Sequence, residues 1–116
     1  MMQTNKENKI VDMSRTFALE IIEYTELLES KKKFVMANQL FKSGTSIGAN
    51  VREAQNAESK ADFIHKMKIA AKEADETDYW LSLCNESKNY PKTEELLPKI
   101  ESINKVLSKI ISTSKK

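Results

Sequence analysis

Only two glycines and two prolines occur in the 116 residues. Sheet proteins need many turns and place Gly, Pro, Asn and Asp at them. So small a supply of turn residues argues against a sandwich or barrel and predicts a few long helices. The single cysteine, Cys84, excludes an internal disulfide and fits a reducing compartment. No apolar run approaches the roughly 20 residues needed to cross a membrane. The polar start, Met1 to Asn8, does not read as a signal peptide. A cytoplasmic protein without a membrane partner is the expectation. Nor is charge of one sign in excess: 19 Lys and Arg stand against 17 Asp and Glu, a net +2. A nucleic-acid-binding domain usually has a basic face and a pI above about 9. The near balance does not show such a face, and it does not exclude one, because charge can be segregated in three dimensions.

What is present is helical periodicity. The length is that of one domain, 1–116, with 1–8 and 112–116 expected to fray at the ends. Ile10, Met13, Phe17, Tyr24 and Leu28, with Ile21 alongside, mark a first helix to about Ser30. Lys31-Lys32-Lys33 suits its negative C-terminal end. A second helix is predicted from near Phe34 to near Ala57, with the stripe Met36, Leu40, Gly44, Ile47, Val51, Ala54. Ser59 reads as the N-cap of a third helix, with Asp62 in its first turn. There Phe63, Met67, Ala70, Ala74, Thr77, Leu81 and Cys84 alternate four and three apart. A second apolar patch, Ile69, Trp80 and Leu83, lies about 100° round the same helix and points to another neighbour, such as a second subunit. Asn85 to Lys92 is a loop. Thr93 is expected to cap a last helix striped by Leu96, Ile100, Ile103, Leu107 and Ile110. Four helices with short connections and one main stripe each predict an all-α, up-down-up-down four-helix bundle.

Both glycines fall inside the second helix, in Ser43-Gly44-Thr45-Ser46-Ile47-Gly48-Ala49-Asn50-Val51-Arg52-Glu53-Ala54. A glycine inside a helix costs about 1 kcal/mol relative to alanine, so two of them imply close approach of another backbone. Ala70 and Ala74 on the third helix offer a matching small surface. Gly44 sits on the core stripe and Gly48 beside it, so Gly48 is read as a candidate for contact between subunits.

Chemistry-bearing patterns are few. Asp62-x-x-His65 has the i, i+3 spacing of one half of a di-iron site, but such a site takes a Glu-x-x-His from each of two helices, and His65 is the only histidine. Glu73 and Glu76 share a face that Glu53 could meet. With Asn50, Arg52, Lys72 and Thr77 they read as a polar network fixing helix register rather than as an acid–base pair. Ser43 to Ser46 has neither the Gly-x-Ser-x-Gly of a nucleophile elbow nor the Gly-Lys-Ser/Thr of a phosphate loop. No cofactor, metal ligand or catalytic residue emerges. Lys42, Arg52, Lys60, Lys66, Lys68 and Lys72 are the candidate nucleic-acid contacts. On the third helix, however, the lysines interleave with carboxylates like an ordinary solvated face. Gly44, Gly48, Asn50, Glu53, Glu73, Thr77 and Trp80 are the packing and assembly candidates.

Three segments carry a resemblance: Ser43 to Ala54, Ser59-Lys60-x-Asp62-Phe63, and Lys72-Glu73-Ala74-Asp75-Glu76-Thr77-Asp78-Tyr79-Trp80-Leu81. The chain resembles the bacterial four helix bundle protein family, from about Ile10 to Ile111. Members include proteins encoded by intervening sequences within 23S ribosomal RNA genes. The resemblance implies a four-helix bundle assembled into a homo-oligomeric ring, a pentamer, with no enzymatic activity. The accessory variability proteins of diversity-generating retroelements are similar in fold. They bind nucleic acid and a reverse transcriptase through a basic barrel surface. By that analogy the resemblance implies binding of RNA or DNA, or of a ribonucleoprotein partner.

Overall fold

The structure, a computed structural model, describes residues 5–115, with side chains from Lys9 onward. Four helices follow one another: α1 (Asn5–Ser30), α2 (Phe34–Ala54), α3 (Lys60–Glu86) and α4 (Leu97–Ser114). No strand occurs among the described residues. Each helix packs on its neighbours in chain order, and α1 closes the bundle against α4. The diagonal pairs stay apart. Cross-helix contacts fix the directions. Gly44 meets Ile21 and Gly48 meets Ser14, while Glu53 reaches Lys66 and Ser43 reaches Thr77. As one number rises its partner falls, so neighbours run antiparallel. The result is an up-down-up-down bundle 45 Å long and 19 Å across.

The ends of the helices follow local chemistry. α1 stops in a Schellman arrangement. Lys32 N–H donates to Glu29 O and Lys33 N–H to Leu28 O, at 2.9 and 2.8 Å. The residue that turns the chain is Lys32, at φ 64°, where glycine is the usual occupant because a Cβ is disfavoured there. The expected extension of α2 to Ala57 fails because Gln55, Asn56 and Ala57 donate to carbonyls three residues back, which tightens and ends the helix. Ser59 caps α3 as predicted, its Oγ accepting from Asp62 N–H at 3.0 Å. Thr93 does not cap α4. Its hydroxyl donates to Leu81 O at 2.7 Å, tying the 87–96 connection to α3. The helix starts later, at Leu97, with Pro98 in its first turn, where the missing N–H costs nothing. Helix extends into both ends of the chain expected to fray. Residues 5–8 belong to α1 and 112–114 to α4; residues 1–4 and 116 lie outside the described residues.

The core corrects the predicted stripes in two places. In α3 all seven predicted positions, Phe63 to Cys84, are buried. In α1 the core position falls to Ser14, and Met13 is only half-buried. In α2 it falls to Ala37, and Met36 is half-buried. Ser14 can be inside because its hydroxyl donates to Ile10 O at 2.7 Å, so no polar atom is left without a partner.

Candidate functional site

The two glycines of the Ser43–Ala54 segment face α1 rather than the small residues Ala70 and Ala74 of α3. A Cβ built on Gly44 would lie 2.8 Å from Ile21 Cγ2 and 2.9 Å from Ile21 Cγ1. A Cβ on Gly48 would lie 3.3 Å from the backbone oxygen of Ser14. Gly48 therefore faces a helix of its own chain, which replaces the reading of this glycine as a contact between subunits. The two missing side chains let α2 settle onto α1, and Ile21 fills the space above Gly44.

On the opposite flank of α2, Ser43 faces α3. Ser43 and Thr77 are both fully buried and their hydroxyls lie 2.9 Å apart. The Thr77 hydroxyl also lies 2.7 Å from Glu73 O. That carbonyl can only accept, so Thr77 gives it its single proton and takes the Ser43 proton in return. Every group of this small chain is satisfied, and it fixes the register of α2 against α3.

The wider polar network foreseen around it is not continuous. Glu53 pairs with Lys66 at 3.2 Å on the surface, where such pairs contribute about 0–1 kcal/mol. Asn50 turns back to donate to Ser46 O on its own helix. Glu76 accepts from Trp80 Nε1 at 3.2 Å within α3. Glu73 is half-buried, and its carboxyl is pushed above the usual range by loss of solvent first and by Glu76 second, against the opposing charges of Lys72 and Lys42. Nearby, Asp78 is likewise raised by burial, then by Asp75 and Glu101.

Trp80 is half-buried and packs against the core, with Tyr79 tilted against it at 5.3 Å between ring centres. Tyr79 itself is 59% exposed. Other large apolar side chains also stand in solvent, among them Phe34 at 57%, Val35 at 79% and Phe41 at 49% on α2.

The six basic candidates do not form one face. Lys66 and Lys68 are two apart and so project about 200° from each other round α3. Lys66 is engaged by Glu53, and Lys42 and Lys72 lie within the field of Glu73. Arg52 ends α2 and Lys60 starts α3, both exposed. Sequence reasoning missed a tighter basic group: Lys9 of α1 with Lys105 and Lys109 of α4, which line one concavity of about 240 Å³ together with Val106.

His65 is exposed on α3, and among the described residues no group of three His, Cys, Asp or Glu side chains is placed to hold a metal ion. Cys84 is buried, and loss of solvent pushes its thiol up. It touches Tyr24, whose hydroxyl is itself pushed up, by burial and then by Cys84, and donates to Pro91 O at 2.7 Å. These groups tie α1, α3 and the 87–96 connection together at one end of the bundle.

Fold and surface together define a small all-α bundle with an apolar core, a few hydrogen-bonded polar groups inside it, and a surface of mixed charge that also exposes several large apolar side chains. The chain belongs to the 23S rRNA-intervening sequence protein family, whose model matches residues 6–109. It is also similar to a crystal structure of a protein with unknown function from the S23 ribosomal protein family of Bacteroides thetaiotaomicron. The two share 44% sequence identity, over 92% of this chain and 98% of that one, with a TM-score of 0.87. A comparison with curated proteins finds no match. No helix among the described residues is long and apolar enough to cross a membrane.

Proposed function

We propose that this protein is a non-enzymatic subunit of a cytoplasmic homo-oligomeric ring, a pentamer, that binds RNA or DNA, or a ribonucleoprotein or reverse transcriptase partner, electrostatically. The observation that carries the reading is the pairing of a fully satisfied interior with an outer surface rich in large apolar side chains. Phe34, Val35, Phe41 and Tyr79 are too exposed to serve the bundle core. Contiguous apolar surface marks contact with another macromolecule, and Phe34 and Phe41, seven apart, share one face of α2. The family is named for 23S rRNA intervening sequences and the similar structure for a ribosomal protein family, which favours a ribonucleoprotein setting. Assembly would also concentrate charge. Five copies at +2 each give about +10, gathered around one ring.

A second reading, a protein-interaction module without affinity for nucleic acid, is favoured by the near balance of 19 basic against 17 acidic residues. Filter binding of labelled RNA and DNA at stepped salt separates the two. Release of counterions makes the affinity of a phosphate-binding protein fall steeply as salt rises. The expected result is binding at low salt that weakens along such a slope. Absence of binding at low salt would sink the nucleic-acid reading and leave the interaction module.

A further inference from the structure

The seam between α1 and α4 is the loosest in the bundle; two concavities lie along it and a third lies between α1 and the 87–96 connection. They differ in charge. The one nearest the 87–96 connection is lined by Glu20, Glu23, Glu94 and Glu95 as well as Lys92. The one at the opposite end is lined, among the described residues, by Lys9, Lys105, Val106 and Lys109, with no carboxylate among them.

Antiparallel packing creates this basic group. α1 begins where α4 ends, so a lysine near the start of the chain meets two near its finish. Lys105 and Lys109 are four apart and share a face of α4. After Glu101 the sequence holds four lysines and no acidic residue to its end, so α4 supplies no opposing charge beyond that point. Lys105 pairs with Glu101 at 3.3 Å, both side chains mostly exposed. Among the described residues Lys9 and Lys109 form no ion pair. Asp12, a turn further along α1, lines the adjacent concavity instead. The dipole of α4 favours cations within its last turn, which holds no basic residue, so it gives Lys109 little structural reason. It gives none for Lys9, which lies toward the positive end of α1. Lys9, Lys105 and Lys109 line the concavity around the half-buried Val106, so a phosphate set there would meet lysines of which two form no ion pair among the described residues. Lysine suits the task because its point charge binds phosphate without demanding a fixed angle.

We propose that this concavity, at the Lys9 end of the α1–α4 seam, is a contact site for the phosphate backbone of nucleic acid. The proposal rests on the nucleic-acid reading above and locates the contact away from the α2 and α3 lysines. The test compares wild-type protein, the K9Q/K105Q/K109Q variant and a K31Q/K88Q variant for binding to fluorescein-labelled poly(U) RNA across salt. All these side chains are exposed, and circular dichroism checks that each variant is folded. The expected result is a loss of about tenfold or more at low salt for the triple variant. Its log–log salt slope should become shallower by about 2, since each single-strand phosphate contact contributes about 0.7. K31Q/K88Q should bind like wild type. Wild-type affinity and slope in the triple variant, or equal losses in both variants, would overturn the site while leaving the nucleic-acid reading intact. Failure of the wild type to bind at low salt would overturn both.

Discussion

Gly44→Leu is expected to destabilise the bundle by about 3 kcal/mol or more, at the upper end of what overpacking a core costs. The reason lies in the first atom of the new side chain. Its Cβ would sit within 3.0 Å of two carbons of Ile21, and Ile21 is fully buried and β-branched, so it has few rotamers to retreat into. Leucine's higher helix propensity returns only about 1 kcal/mol. For a domain of this size the loss lowers the melting temperature by about 10 °C or more. Gly48→Ala makes the contrast. Its Cβ would approach Ser14 O at 3.3 Å, a contact that a small shift relieves, and the propensity gain offsets it. That variant should melt close to wild type. Thermal melts followed by circular dichroism decide the matter, and a wild-type melting temperature for Gly44→Leu would show that α2 does not depend on this approach. Ile21→Ala in the Gly44→Leu background should cost less than in the wild type, because the two sites share one space.

Phe17→Ala carries the second large effect, a loss of about 3–5 kcal/mol. Phe17 is 1% exposed and is the largest fully buried side chain in the core. Its removal leaves a cavity that packed helices close only in part. Against a total stability of about 5–15 kcal/mol, this single change brings the bundle near its unfolding threshold. Phe41→Ala removes the same atoms from a side chain that is 49% exposed, and it should change stability by only about 0.5 kcal/mol in the isolated subunit. Urea unfolding of the two variants measures the difference. Equal midpoints would mean that the two phenylalanines do not occupy the different places assigned to them.

The sequence was most legible where a helix has neighbours on both sides of one stripe. In α3 the alternating four-and-three spacing named every buried position, because α2 and α4 together cover that stripe and only small or apolar residues fit under them. In α1 apolarity misled. Met13 seemed the core residue, yet the approach of Gly48 calls for something small, and Ser14 fits once its hydroxyl is satisfied on its own helix. The glycines announced a close approach but not its partner. Ala70 and Ala74 looked complementary, and only the folded chain shows Ile21 and Ser14 in that place. Thr93 followed by Glu94 and Glu95 has the pattern of a helix start, but its hydroxyl finds Leu81 O across the bundle, a partner that local sequence cannot show. The Lys9, Lys105 and Lys109 group was invisible for the same reason. Ninety-six positions separate Lys9 from Lys105, and antiparallel closure of α1 on α4 alone brings them to one concavity.

On the proposed reading, the exposed apolar side chains on α2 and α3 serve assembly, and assembly gathers the small charge of each chain around one ring. Light scattering of the purified protein, coupled to size exclusion, tests this most directly. The expected mass is about five times the 13.3 kDa of the chain, and it should hold on dilution. A single species at 13.3 kDa across the concentration range would contradict the account and leave Phe34, Val35, Phe41 and Tyr79 for some other partner.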